Sequence, residues 1–118
     1  MEGEGESMKT SVVDIHKVKG VRPEYDIYIG RRVTRSDFQK SSKWANWYTL
    51  KKYGEMALVN YEMDMRVNIE MYPDKYNLEE LRNKRLGCWC ITTDKLEPLV
   101  CHGQVLMKLL QEIKKEKT

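Results

Sequence analysis

All three cysteines of this chain lie between Cys88 and Cys101, and one of its two histidines, His102, follows directly. Leu86-Gly87-Cys88-Trp89-Cys90 is separated by ten residues from Cys101-His102-Gly103, behind which an apolar, helix-like run begins. Thiolates and an imidazole are the ligand types that hold tetrahedral zinc, so Cys88, Cys90, Cys101 and His102 form one candidate metal set. The same residues allow a second chemistry. A cysteine at a helix start, beside an imidazole, has its thiolate favoured, which makes Cys101 a candidate nucleophile and His102 a candidate acid or base. The third reading is packing, because a buried free cysteine behaves as a small hydrophobe. On a straight strand Cys88 and Cys90 would leave the same face roughly 6–7 Å apart at Cα, so a shared metal requires the strand to bend.

A second constellation runs from Gly30 to Tyr48. Arg31, Arg32, Arg35, Lys40 and Lys43 alternate with Phe38, Trp44, Trp47 and Tyr48, and Asn46 sits between the two tryptophans. Cations hold phosphates and flat rings stack on bases, so the mixture suits a nucleotide or single-stranded nucleic acid. Gly30, Arg31, Arg32, Ser42, Trp44, Asn46 and Trp47 are the candidate ligand-binding residues. The plain alternative is a solvated basic loop whose aromatic rings plug the core. Cys101 lacks the following arginine of a phosphatase loop, and no His-x-Glu accompanies the cysteines as in zinc deaminases. His16 reads as structural, and the methionines as adaptable core filler.

The elements that must position these residues can be read from periodicity. Ser11 to Val18 suits a first strand, and Tyr25-Asp26-Ile27-Tyr28-Ile29 alternates as a second. Glu55 to about Met71 places Leu58, Tyr61, Met65 and Ile69 at helical spacing, with acids expected on the outer side. Asn77-Leu78-Glu79-Glu80 has the form of a capping box opening a short helix. Arg85 to Ile91 reads as a third, buried strand. The last helix runs from His102 or Gly103 to Lys115, with Val105, Leu106, Leu109, Leu110 and Ile113 in one stripe. Strand, loop and helix, then strand and helix, predict a small single-domain α/β sandwich with a short, mostly parallel sheet flanked by helices. In that topology the Gly30 loop and the Cys90-to-Cys101 loop open at the same edge of the sheet, where ligands bind in open α/β folds.

Composition bounds the rest. With 118 residues, 41% hydrophobic and 33% charged, the chain can build one core. Residues 1–8 are small and acidic and read as a disordered tail, leaving 9–118 as the domain. No apolar run approaches the ~18 residues of a membrane span, and an odd cysteine count argues for a reducing, cytoplasmic setting. The net charge of +3 is modest but divided. Residues 31–52 carry seven Lys or Arg against Asp37, whereas residues 55–80 carry seven acids against Arg66 and Lys75.

Taken together, Tyr28-Ile29-Gly30-Arg31, Ser42-Lys43-Trp44-Ala45-Asn46, the Cys-Trp-Cys segment and Cys101-His102-Gly103 resemble the domain-of-unknown-function family 4326 of bacteria, phages and large DNA viruses. The chain departs at Ala45 and Trp47, where the family pattern has Gly and Pro, and at Asn83, where it has Gly. Asn is compatible with the left-handed backbone a glycine would supply. The resemblance implies a compact α/β fold with the motifs gathered at one site, and a phage or viral origin inside a host cell; it implies no reaction. The expectation from the residues is a nucleotide- or nucleic-acid-linked domain with a Cys/His/Arg site at the strand ends. A non-catalytic viral or phage interaction protein with a protein partner, and a zinc-stabilised structural module, are the alternatives.

Overall fold

The sheet of the computed structural model has three short parallel strands: β1 (Ser11–Asp14), β2 (Ile27–Tyr28) and β3 (Arg85–Cys88), in the order β1-β3-β2. Among the described residues three helices accompany it: a single turn, α1 (Leu50–Tyr53), then α2 (Met56–Met71) and the final α3 (His102–Lys117), with a 3-10 turn at Leu78–Leu81. The structure describes residues 9–34 and 36–117, and of these the side chains of Leu50 and of 114–117 are not described. The acidic tail expected to be disordered, and Arg35, lie outside the described residues.

β3 is central because it is the strand that both faces can bury. Leu86 pairs with Val12 on one side and Ile27 on the other, and Leu86, Gly87 and Cys88 are all buried. Gly87 is required by close packing, since a Cβ there would meet the Tyr25 ring at 2.9 Å. One face of the sheet, carrying Val12, Ile29, Leu86 and Cys88, joins Tyr61 and Met65 of α2 and Val105, Leu106 and Leu109 of α3 in the main core. Successive strand residues point oppositely, so the other face falls to Ile15 and Tyr28. There Phe38 stacks on Tyr28 at 4.2 Å, Trp89 meets Phe38 edge-on at 5.4 Å, and the Arg22 guanidinium lies 4.9 Å over Phe38.

Several expected boundaries shift for local reasons. The third strand stops at Cys88 rather than Ile91, and the chain bends at Trp89 and Cys90. Thr93 then exchanges backbone hydrogen bonds with Val12 on the free edge of β1, at 2.8 and 2.9 Å. The first strand ends at Asp14, and Val18 and Val21 pair across a turn in which Lys19 and Gly20 both take positive φ. Asn83 has φ 63°, the left-handed backbone expected where the family has glycine. Asn77 caps the 3-10 turn through the Glu79 N–H at 3.0 Å. The box is not closed, because the Glu80 carboxylate is engaged by Lys43 Nζ at 2.9 Å and Trp44 Nε1 at 3.3 Å. The outer side of α2 is not simply acidic. Met56, Val59, Met63, Val67 and Met71 are all exposed on it, so these methionines are not core filler, although Met65 and Met107 are buried.

The connection between Cys90 and α3 is irregular, yet one side chain organises it. Gln104, 1% exposed, accepts hydrogen bonds from the Val100 and Cys101 N–H groups at 2.7 and 3.0 Å, and donates to the Lys95 and Pro98 carbonyls at 2.9 Å each. At the other end of the sheet, Asp26 holds β2 to β3 by accepting from the Arg85 backbone N–H at 2.7 Å and its guanidinium at 3.1 Å.

Two predictions follow from these anchors. Gln104→Leu leaves two N–H groups and two carbonyls without their partner, and at about 1–3 kcal/mol for a buried unsatisfied group the variant should unfold at clearly lower denaturant than Gln104→Glu, which keeps the acceptor. The Arg85 hydrogen bonds depress the Asp26 pKa to about 2 from 3.8. Its stabilising contribution is therefore present above the unfolded value and lost as pH falls through the folded one. Asp26→Asn should flatten the fall in melting temperature across that acid window, and an unchanged slope would contradict the assignment.

Candidate functional site

The bend that ends β3 brings the sulfurs together. The Sγ atoms of Cys88, Cys90 and Cys101 all lie within 4.8 Å of one another, close enough to share one metal ion. Cys88 Sγ and Cys101 Sγ are 3.2 Å apart. Cys88 and Cys101 are buried, and Cys90 is exposed. Hydrogen bonds from the Cys101 and Cys90 thiols favour a thiolate at Cys88 and pull its pKa down. Cys101 is pushed strongly upward by the same bond to Cys88, by its bond to Cys90 and by burial. Cys101 is 1% exposed, so its sulfur is covered from solvent in this arrangement.

Cys101 instead serves as the N-cap of α3. Its sulfur accepts the Gly103 N–H at 3.4 Å, while Gln104, three residues on, reaches back to the Cys101 N–H. This is the reciprocal arrangement of a capping box, with sulfur in place of the usual hydroxyl. His102 is 9% exposed, and its Nε2 lies 2.7 Å from the Ile29 carbonyl oxygen. A carbonyl only accepts, so Nε2 carries the proton and donates it. Burial pushes the His102 pKa down, which favours the neutral ring, and with the proton on Nε2 the Nδ1 lone pair is left available. Nδ1 is 4.0 Å from Cys101 Sγ. Tyr61 packs edge-on against the imidazole at 5.2 Å and donates from its hydroxyl to the Trp44 carbonyl at 2.6 Å.

The arginine–tryptophan loop reaches this same edge. Gly30, Arg31, Asn46, Trp89, Cys90 and His102 are among the residues lining one cavity of about 250 Å³. A second depression, about 460 Å³, is lined by Arg31, Arg32, Val33, Ser41, Trp47 and Trp89, and shares Arg31 and Trp89 with the first. Trp47 is 61% exposed, and the Arg31 guanidinium lies 5.9 Å from its ring. Arg31 and Arg32 are exposed and make no ion pair among the described residues.

The other candidates of the loop stand in different surroundings. Trp44 is 1% exposed in the core, against Tyr76, and cannot stack on a ligand. Ser42 donates its N–H to the Gly30 carbonyl at 2.9 Å and accepts the Trp44 N–H on its hydroxyl at 3.0 Å, which closes the base of the loop. Gly30 is tightly packed, for a Cβ would meet the Tyr28 hydroxyl at 2.6 Å. Asn46 lines the cavity while its Oδ1 accepts the Tyr48 N–H at 2.8 Å. Two residues were not among the sequence candidates. Trp89 borders both depressions and donates from Nε1 to the Tyr28 hydroxyl at 2.8 Å. Gln104 was legible only as a Cys-x-x-Gln spacing, which capping rules based on hydroxyls and carboxylates do not flag.

Among the described residues no helix is long and apolar enough to cross a membrane. Comparison with known proteins places the chain. The DUF4326 family, a domain of unknown function, matches residues 13–112. An uncharacterized protein, R718, of Acanthamoeba polyphaga mimivirus is 34% identical over 94 residues, which covers 76% of this chain and 70% of the viral protein. No solved structure matches significantly. With the Cys-Trp-Cys and Cys-His-Gly segments gathered at one sheet edge, and the family match extending over most of the chain, the protein belongs to the DUF4326 family.

Proposed function

We propose that this protein binds a small phosphorylated ligand bearing a flat ring, of the nucleotide class, at the carboxyl edge of its sheet. The observation that carries the reading is the pairing of unneutralised Arg31 and Arg32 with the exposed Trp47 ring along two depressions that share Arg31 and Trp89. An exposed indole is costly in water and useful where a ring stacks on it. Guanidinium groups hold phosphate oxygens in pairs. Asn46 brings its side-chain amide to the cavity wall, with Oδ1 holding the Tyr48 N–H. Cys101 and His102 support the floor of the site; both are largely buried, and the role derived for them is positioning rather than turnover. Single-stranded nucleic acid shares this chemistry. The free ligand is preferred because the shared wall is local and, among the described residues, offers two cations without an ion-pair partner.

The alternative of a non-catalytic interaction protein rests on a different surface, the exposed apolar side of α2. Thermal denaturation with AMP, GMP, CMP, UMP and their diphosphates separates the readings. A nucleotide at a hundredfold its Kd should add about 2.7 kcal/mol of stability. Arg31→Gln should abolish the shift, and Trp47→Ala should reduce it while leaving a response to phosphate. No shift with any nucleotide at millimolar concentration, or a full shift in Arg31→Gln, would defeat the proposal. Response to oligonucleotides alone would move the assignment to nucleic acid.

A further inference from the structure

We infer that the junction of β3 and α3 is a zinc site, with the sulfurs of Cys88, Cys90 and Cys101 and the Nδ1 of His102 as its four ligands. The inference does not depend on the nucleotide reading, since it uses the floor of the site and not Arg31 or Trp47. Zinc held at about 2.3 Å by sulfur and about 2.0–2.1 Å by nitrogen spaces tetrahedral sulfurs about 3.8 Å apart and sulfur from nitrogen about 3.6 Å. The sulfur separations start at 3.2 Å and none exceeds 4.8 Å, and Nδ1 stands 4.0 Å from Cys101 Sγ. The three sulfurs already stand near that spacing, and His102, whose Nδ1 is near Cys101, completes the set by a side-chain adjustment toward Cys88 and Cys90. Three thiolates and one imidazole are an established structural zinc set, whereas iron–sulfur clusters take thiolates from four cysteines in the common case.

The surroundings are those of ligands rather than of packing. The Cys88 sulfur accepts the Cys90 N–H at 3.5 Å and the Cys101 sulfur accepts the Gly103 N–H at 3.4 Å, bonds that stabilise bound thiolate. His102 donates its other nitrogen to a backbone carbonyl at 2.7 Å, which is how a zinc-bound imidazole is held in orientation. On binding, each protonated thiol releases its proton to solvent and the sulfur lone pair goes to the metal. One ion would then tie the end of β3, the start of α3 and, through His102 and Ile29, the end of β2.

The test uses the full chain, purified with a reductant, and the metals alone. About one zinc per chain should be found by elemental analysis, and the stripped protein should bind cobalt(II) with thiolate charge-transfer absorption and the visible bands of a tetrahedral site. Cys90→Ser, at an exposed position that leaves the fold intact by circular dichroism, should lose most of the charge-transfer intensity and bind zinc more weakly. His102→Ala should weaken binding by about tenfold or more and shift the visible bands. Wild-type protein that takes up neither zinc nor cobalt overturns the site. Unchanged affinity and spectrum in His102→Ala overturns the fourth ligand. Nucleotide binding that persists in metal-free protein leaves this result standing on its own.

Discussion

The hydrogen bond from His102 Nε2 to the Ile29 carbonyl holds the two halves of the site together. Ile29 follows β2 and immediately precedes Gly30 and Arg31, whereas His102 begins α3 directly after Cys101. One buried polar contact therefore sets the arginine loop against the cysteine cluster. Its geometry is enforced from every side: Tyr61 packs on the ring, and a Cβ at Gly103 would come within 2.7 Å of Val12 and 3.0 Å of Ile29. The glycine after the histidine is what lets the helix start approach the sheet closely. Burial disfavours the charged ring, and with Nε2 committed to Ile29 the second nitrogen, Nδ1, stands 4.0 Å from Cys101 Sγ.

Around that contact the side chains divide into those that build and those that are offered. Trp44, Gln104 and Tyr61 are buried and their polar atoms are spent on neighbours. Arg31, Arg32 and Trp47 are exposed and, among the described residues, have no acidic partner. Such a division is what a preorganised site needs, because ordering entropy is met by the scaffold rather than by ligand binding. The short strands are compatible with this only because loops are pinned individually. Ser42 closes the Gly30 loop, Gln104 holds the segment before α3, and Thr93 covers the open edge of β1.

Much of this frame is legible in the sequence. Alternation at Tyr25–Ile29, helical spacing at Glu55–Met71 and the stripe from Val105 to Ile113 located the main elements, and parallel crossover logic placed both loops at one edge. The Asn83 backbone followed from its standing where glycine is usual. What periodicity could not supply was the fate of individual side chains. Trp44 and Trp47 are alike in sequence context, yet one hydrogen-bonds Glu80 from within the core and the other faces solvent, a difference set by the tertiary position of α2 and the 3-10 turn. The early end of β3 depended on Thr93 pairing with β1, a contact between residues 81 positions apart. The apolar outer side of α2 was hidden because both faces of that helix carry hydrophobic residues, so a single stripe could not be picked out.

The most direct measurement is the protonation of the His102 imidazole, read from its nitrogen chemical shifts in a long-range proton–nitrogen correlation spectrum near neutral pH. The account predicts a neutral ring with the proton on Nε2, slow to exchange with solvent, and an unprotonated Nδ1 in free or metal-bound form. A proton on Nδ1, or a charged ring, would mean that the histidine does not join Ile29 to the cysteines.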